Sequence, residues 1–257
     1  LPLRRQRSPA SGWVALVGGG PGDPGLITTR GRQLLAEADV VVVDRLAPRA
    51  LLAELDAEVE VVDVGKTPGH HAVSQEEIND LLVSKASGGR RVVRLKGGDP
   101  YVLGRGHEEV LACRAAGVPV VVVPGVTSAV AAPAAAGIPV THRGVARQFT
   151  VVSGHDGVDW RSLARAEGTL VLLMGVSRLP ETADQLIAHG KDPATPAAVV
   201  EDAYGPSQRV TAGTLATIAG LAADRGVRPP AVVVIGAVAG SITFGSGSPT
   251  AAGTQTS

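Results

Sequence analysis

Cysteine, aromatic residues and net charge are all scarce in this sequence. Cys113 is the single cysteine among 257 residues, which excludes an internal disulfide and leaves a cysteine-based metal site without ligands. Aromatic residues make up 2% of the chain and the formal net charge is zero. Neither stacking surfaces nor a basic footprint therefore favours nucleic acid as a partner. An anionic ligand would have to be met by local cations.

Long apolar runs are also missing. The longest apolar region, Val118 to Val140, is interrupted by four prolines, so it does not predict a membrane span. Residues 1–11 are basic and polar without the apolar centre of a signal peptide, which favours the cytoplasm as the location. We expect residues 1–12 to be a linker, and the Gly-, Ser- and Thr-rich residues 241–257 to be a disordered tail.

Apolar runs typical of strands alternate with helical segments along the rest of the chain. Continuous valine at Val40 to Val43 and at Val120 to Val123 indicates strands buried on both faces of a parallel sheet. Ser74 and Glu77 have the spacing of a capping box at the start of a helix. The predicted strands are Trp13 to Val17, Asp39 to Asp44, Val59 to Val64, Arg91 to Leu95, Val118 to Val123, Phe149 to Ser153, Thr169 to Met174, Ala197 to Glu201 and Ala231 to Ile235.

This alternation predicts an α/β protein with two domains. We expect an N-terminal α/β domain at 13–124, an inter-domain connection at 125–146 and a C-terminal α/β domain at 147–240. In open α/β sheets, ligands bind beyond the carboxyl ends of the strands. The candidate site should therefore lie in the loops that follow the predicted strands.

A glycine-rich stretch, Gly18 to Gly25, directly follows the first predicted strand. Its later glycines satisfy the pattern G-x-G-x-x-G, and Asp44 stands about where a dinucleotide fold has its ribose-binding acid. Pro21 and Pro24 argue against that interpretation, because each removes an amide donor from the loop that would cradle a pyrophosphate. A dinucleotide-dependent oxidoreductase stays open as one alternative.

Several further short motifs occur in one order along the chain. They are Gly18 to Gly25, Asp44 to Leu46, Val64 to Lys66, Gly69 to His71, Gln75 to Asn79, Val92 to Pro100, Gly104 to Gly106, Val123 to Ser128, Gly137 to Arg143 and Ser153 to His155. Together they resemble the tetrapyrrole methylases over about Trp13 to Gly240, and within that family the enzymes that methylate uroporphyrinogen III. An ordered series of motifs is far more specific than one glycine fingerprint.

The resemblance implies a fold, a cofactor and a substrate. The family fold has two α/β domains with S-adenosyl-L-methionine in the cleft between them, in a homodimer. The implied reaction methylates uroporphyrinogen III at C2 and C7, giving precorrin-2 for sirohaem or cobalamin, with no metal. Alternatives are a tetrapyrrole methylase that acts on a later corrin precursor and a carrier without turnover. The resemblance also fits the methyltransferase module of a fused sirohaem synthase.

The resemblance also implies roles for individual residues. Asp44 matches the family's proton acceptor and Lys66 its proton donor; the chain has only four lysines against twenty arginines, so a lysine inside a motif is informative. The implied cofactor contacts are Pro21, Gly97, Gly98, Asp99, Val102, Thr127, Ser128, Met174 and Ala203. The implied substrate contacts are Arg45, His70, Arg105, His142, Arg143, Arg147 and His155.

The sequence qualifies three of these assignments. Thr127 and Ser128 precede a helical segment, where hydroxyl side chains commonly cap the first turn. Ala203 stands where relatives often carry glycine, and a positive φ would be costly for alanine.

Overall fold

The structure is a computed structural model that describes residues 12–65, 73–155 and 157–241. The predicted linker, apart from its last residue, and the predicted tail, apart from its first residue, lie outside the described residues. None of the described helices has both the length and the hydropathy that crossing a membrane would require.

Within the described residues the chain forms strands and helices in alternation, as an α/β fold requires. The strands are β1 Trp13–Gly18, β2 Val40–Val43, β3 Glu60–Asp63, β4 Arg91–Lys96, β5 Val120–Val123, β6 Phe149–Ser153, β7 Thr169–Leu173, β8 Pro196–Glu201, β9 Arg209–Thr214 and β10 Ala231–Ile235. The α-helices are α1 Thr29–Glu37, α2 Gln75–Ser87, α3 Gly106–Ala115, α4 Ser128–Ala135, α5 Trp160–Arg165, α6 Leu179–Ala188 and α7 Ile218–Asp224.

The first sheet is parallel, with the strand order β3-β2-β4-β1-β5. All four valines of β2 are fully buried, so the prediction of a strand covered on both faces is confirmed there. For β5 the same prediction is wrong, since Val121 is 46% exposed. The reason is position: β5 pairs only with β1 and lies at the edge of the sheet.

This strand order argues against a dinucleotide fold. There the first strand lies beside the second, so that the acid ending the second strand can reach the ribose. Here β4 lies between β1 and β2. In addition, α1 begins only at Thr29, with Thr28 as its cap, several residues beyond the glycine-rich loop. The loop opens into a single 3-10 turn, Pro24–Leu26, and not directly into an α-helix as the dinucleotide fingerprint requires.

The second sheet is mixed, with the order β6-β7-β10-β8-β9, and only β6 and β7 run parallel. The sequence patterns do not predict β9, which lies between the predicted strand Ala197 to Glu201 and the helix α7. Its residues Arg209 to Thr214 alternate weakly and include Gly213, a poor strand former. Its antiparallel ladder with β8, rather than local propensity, explains this strand.

The chain divides into two compact units between Ala131 and Ala132. The short segment Tyr204–Pro206 is grouped with the first unit. Each sheet has its own apolar core. The first is built around buried valines and leucines such as Leu34 and Leu95, and the second around residues such as Leu186. The domain boundaries read from the sequence stay a prediction.

The start of α2 confirms the capping prediction. The Ser74 hydroxyl accepts a hydrogen bond from the Glu77 amide at 3.1 Å, and the Glu77 carboxylate accepts one from the Ser74 amide at 2.6 Å. Both amides would otherwise lack a partner inside the helix. This pair fixes the beginning of α2, whose residue Gln75 contacts the buried polar cluster described below.

Cys113 lies on the buried face of α3 and is fully enclosed. Burial, with the negative charge of Glu109 as a smaller cause, raises the pKa of its thiol to about 11. We expect the native protein to resist alkylation by iodoacetamide near neutral pH and to react quickly once unfolded in denaturant, because only the thiolate is nucleophilic. Quantitative labelling of the folded protein, followed by mass spectrometry, would contradict this expectation.

Candidate functional site

The described candidate residues of the first unit all follow the carboxyl ends of strands in the parallel sheet. This is the edge at which open α/β sheets bind ligands. Lys66 and His70 lie outside the described residues. The others occupy the loops after β1, β2, β4 and β5: Pro21, Asp44, Arg45, Gly97, Gly98, Asp99, Val102, Arg105, Thr127 and Ser128.

Three of these loops pack backbone against backbone. Gly20 and Gly98 form an isolated antiparallel bridge, with N–H···O distances of 2.7 and 3.2 Å. A Cβ on Gly125 would come within 2.2 Å of the Gly98 carbonyl oxygen, and one on Gly18 within 2.5 Å of the Gly125 amide nitrogen. No larger residue fits at either of these crowded positions. The glycines thus hold the loops after β1, β4 and β5 together.

Gly97 and Gly98 have different surroundings. A Cβ on Gly97 would stand 2.6 Å from the carbonyl oxygen of Leu46, so the packing of two loops already requires glycine there. Gly98 has φ +62, and a Cβ on it would meet only Ser128 N at 3.6 Å and Thr127 Cα at 3.7 Å. Gly98 therefore faces open space beside the start of α4, where a ligand can approach its main chain.

This difference predicts different effects for two alanine substitutions. Gly97→Ala should lower the free energy of unfolding, since its Cβ collides with the Leu46 backbone. Gly98→Ala has room and pays about 1–2 kcal/mol for a left-handed alanine. Because the new Cβ projects into the open space beside α4, Gly98→Ala should weaken the binding of S-adenosylmethionine, the cofactor that the resemblance implies, about tenfold, or 1.4 kcal/mol. Calorimetric titration measures the affinity, and chemical denaturation measures the free energy of unfolding. An unchanged affinity in Gly98→Ala would remove Gly98 from the site.

The side chains of Asp99 and Thr127 are engaged with the backbone. Asp99 Oδ1 accepts from the Tyr101 amide at 2.8 Å, and its Oδ2 accepts from the Gly125 amide at 3.0 Å. Thr127 Oγ1 accepts from the Ala129 amide at 3.3 Å, which is the capping role weighed above. These side chains shape the loops, while the main chain of the same residues remains the candidate ligand contact.

Asp44 directly follows β2 and its side chain is 27% exposed. Its Oδ1 accepts hydrogen bonds from the amides of Leu46 and Ala47, both at 3.1 Å. Its Oδ2 lies 3.5 Å from Nη2 of Arg94, a buried residue of β4. The carboxylate is thus held on one side while part of it reaches the carboxyl edge of the sheet. The neighbouring Arg45 is exposed.

Beneath Asp44 lies a buried polar cluster formed by Arg94, Lys96 and Glu109, which we call the charge cluster. Glu109 Oε1 accepts from Arg94 Nε at 3.0 Å and from Lys96 Nζ at 3.1 Å. The side chains are 3%, 5% and 0% exposed, respectively. Burial, and then the positive charge of Arg94, lower the pKa of Lys96 below its ordinary value, while Glu109 and Asp44 oppose the shift.

Sequence reasoning missed Arg94 and Glu109 as members of the site. Two signals were present. Arg94 interrupts the apolar run of β4, and Glu109 stands beside Val110 on the face of α3 that also carries Cys113. Charged residues are almost never buried unless they are paired, so charges inside two apolar patterns indicate a pair.

Arg105, at the start of α3, is exposed and has φ +56. Its guanidinium forms two hydrogen bonds with the Glu108 carboxylate, at 2.7 and 2.8 Å. A substrate carboxylate would have to share or replace that partner. Val102, in the preceding loop, is half-buried.

In the second unit, one predicted cofactor contact lies in strained backbone and another lies beside it. Met174 follows β7, is 44% exposed and has φ +59. Ala203 itself has no positive φ, but its neighbours Asp202 and Tyr204 have φ values of +44 and +62. The strain that alanine would not tolerate therefore falls on the residues beside it. Such conformations persist at sites where the surrounding structure holds them.

The predicted substrate contacts of the second unit are exposed basic residues: His142, Arg143, Arg147 and His155. His142 and Ala146 exchange two backbone hydrogen bonds of 2.9 Å across a tight turn. Gly144, with φ +82, allows that turn. The turn therefore presents Arg143 to solvent. Across the described residues, no group of three or more His, Cys, Asp or Glu side chains is placed to hold a metal ion.

The fold and the loops define an α/β protein with a candidate ligand site at the carboxyl edge of a parallel sheet. Residues 14–219 match the family model described as tetrapyrrole (corrin/porphyrin) methylases. The chain belongs to this family, and the resemblance seen in the motifs is confirmed.

Individual relatives are similar over most of the chain. An S-adenosyl-L-methionine-dependent uroporphyrinogen III methyltransferase of Methanosarcina barkeri is 50% identical over 88% of this chain and 92% of its own length. A siroheme synthase of Tolumonas auensis is 48% identical over 90% of this chain, which spans about half the length of that relative. The crystal structure of a Thermus thermophilus uroporphyrin-III C-methyl transferase, complexed with S-adenyl homocysteine, shares 45% identity and a TM-score of 0.78 over 90% of this chain and 100% of that one.

Proposed function

We propose that this protein transfers methyl groups from S-adenosyl-L-methionine to uroporphyrinogen III at C2 and C7, giving precorrin-2 by way of precorrin-1. The observation that carries the proposal is its 50% identity with a uroporphyrinogen III methyltransferase over 92% of that relative. The strand order supports it as well, because it disfavours the dinucleotide alternative.

The loops after β4 and β5 suit the methyl donor. Gly98 leaves a space beside Thr127 and Ser128 that no side chain fills, and both oxygens of Asp99 are already bound to amides. We assign this space to S-adenosylmethionine. Pro21 and Val102 are further cofactor contacts that the family resemblance implies. When bound, the donor supplies an electrophilic methyl group on a sulfonium ion. Met174 and Ala203 remain predicted contacts.

Asp44 is the proposed base. Attack on the methyl group leaves the macrocycle with a positive charge, which the loss of a proton from another position of the ring system neutralises. Asp44 offers a carboxylate, oriented by the amides of Leu46 and Ala47, to accept that proton. Lys66 remains the predicted proton donor. The acceptor's eight carboxylates call for cations and hydrogen-bond donors, for which the arginines and histidines predicted above are the candidates. Positioning of donor and acceptor supplies most of the acceleration.

Three further proposals complete this function. The product is a precursor of sirohaem, cobalamin or both, consistent with the similarity to a siroheme synthase. The protein acts in the cytoplasm. It acts as a homodimer, which light scattering after size exclusion would test by showing twice the monomer mass.

Anaerobic turnover tests the reaction directly. Purified protein is incubated with uroporphyrinogen III and methyl-labelled S-adenosylmethionine, and label in the tetrapyrrole is counted against the macrocycle. We expect two methyl groups per macrocycle. Donor binding without transfer to this acceptor would overturn the proposed substrate, and transfer to a later corrin precursor would replace it.

A further inference from the structure

We propose that Arg94 is a positioning residue for Asp44 and that Glu109, in turn, holds Arg94. This inference rests on the proposed function, in which Asp44 removes a proton. Arg94 lies on β4 directly beside Val42 of the neighbouring strand β2, two residues before Asp44. From that position its guanidinium extends along β2 to the carboxylate at the strand's end.

Several contacts fix the Arg94 guanidinium. Nη1 lies 3.4 Å from the Val42 carbonyl oxygen and 3.3 Å from that of Leu95, while Nε donates to Glu109 at 3.0 Å. Nη2 is the nitrogen that faces Asp44 Oδ2, at 3.5 Å. A planar guanidinium held at Nε and Nη1 has little freedom to rotate. These buried contacts therefore fix the direction of Nη2, and Nη2 in turn fixes the position of the Asp44 carboxylate.

The charges in this arrangement balance only when Asp44 is included. Arg94 and Lys96 are two buried cations, and Glu109 is one buried carboxylate. Asp44 supplies the second negative charge and is the one member of the four that reaches the surface, at 27% exposure. Buried cations without partners are costly, so the cluster holds the Asp44 carboxylate inward at the point where a ligand meets it.

The next strand provides a natural comparison. Asp63 is the last residue of β3, and its Oδ1 accepts from the amide two residues ahead, Gly65, at 2.8 Å, as Asp44 Oδ1 accepts from Leu46. Its arginine partner, Arg49, is on the surface: the two side chains are 48% and 45% exposed. The Asp63 turn thus exists without buried support, which makes Arg49→Gln a matched control.

A double-mutant cycle tests the inference. Arg94→Gln should lower kcat for methyl transfer about tenfold or more, with the Kd for S-adenosylmethionine within about twofold. In an Asp44→Asn background, Arg94→Gln should lower kcat little further, because its effect runs through Asp44. Additive losses in the cycle would overturn the inference, as would an equal loss of kcat in Arg49→Gln.

A second readout does not depend on the reaction. Amide hydrogen exchange at Leu46 and Ala47, followed by NMR, reports whether the Asp44 carboxylate stays seated on these donors. Exchange there should quicken several-fold in Arg94→Gln and stay unchanged in Arg49→Gln. Unchanged exchange in Arg94→Gln would refute the positioning role even in a protein that turns over. If exchange is faster in Arg94→Gln but the wild-type protein does not methylate uroporphyrinogen III, the positioning role stands and only the proposed reaction is refuted.

A second variant covers the case in which Arg94→Gln does not fold. Glu109→Gln keeps the Arg94 side chain and an oxygen at its Nε, while it removes the buried negative charge. We expect faster exchange at the two amides and a lower kcat, again without further loss in an Asp44→Asn background. A folded Glu109→Gln protein with wild-type exchange and kcat would overturn the role of Glu109 as the support of Arg94.

Discussion

Asp44→Asn lowers kcat for methyl transfer about 100-fold or more, the usual size of general-base catalysis, while the Kd for S-adenosylmethionine stays within about twofold. The physical reason is specific to the proton. An asparagine oxygen can still accept from the amides of Leu46 and Ala47, so the turn after β2 persists. The amide cannot take up a proton, however, and its nitrogen offers Arg94 no acceptor.

Single-turnover kinetics with labelled donor would measure the transfer step, and calorimetric titration the donor affinity. Asp63→Asn is the control, because Asp63, at the end of β3, likewise accepts a hydrogen bond from the amide two residues ahead, that of Gly65. We expect near wild-type rates from it. If Asp44→Asn transferred methyl groups as fast as the wild type, another group would have to be the base. Equal loss of donor binding would instead make Asp44 a structural residue. For Lys66→Ala we expect the same result as for Asp44→Asn: a lower kcat with the Kd for S-adenosylmethionine within about twofold.

Local patterns were sufficient to predict much of the fold. Uninterrupted valine in β2 predicts a strand that is buried on both faces, and the Ser74–Glu77 spacing predicts the start of α2. Both predictions hold because they depend on neighbours in sequence. The edge position of β5 and the existence of β9 depend instead on which strands pair. Pairing partners are not encoded by local periodicity, and the predictions were wrong or missing at these two elements.

The candidate site shows the same division between local and distant information. The motifs placed Gly97 and Asp99 in a loop after a strand, as observed. They did not reveal that Gly97 is packed against Leu46, or that Asp99 binds the Gly125 amide. These contacts join loops separated by 26 residues or more. A glycine pattern therefore indicates a crowded backbone, but only the fold tells whether a ligand or another loop causes the crowding.

Glu109→Ala should lower the free energy of unfolding by about 3–5 kcal/mol, the cost of removing one partner from a buried ion pair. The reason is that Arg94 and Lys96 both donate to the same Glu109 oxygen, and all three side chains are at most 5% exposed. Without the carboxylate, two cations are left facing each other in the interior. Urea unfolding followed by circular dichroism measures the change as a shift in midpoint at constant slope.

The adjacent residue is the control. Glu108 pairs with Arg105 at the surface, where ion pairs contribute little, so Glu108→Ala should change stability by less than about 1 kcal/mol.

The loss of stability caused by Glu109→Ala, relative to the wild type, should also shrink as the pH rises toward 10.5, the ordinary lysine pKa. Burial and Arg94 already lower the pKa of Lys96, and losing Glu109 lowers it further. The folded variant then binds fewer protons than its unfolded chain, so its stability rises with pH. Equal effects of the two substitutions, or a deficit that does not change with pH, would show that Lys96 carries no buried charge.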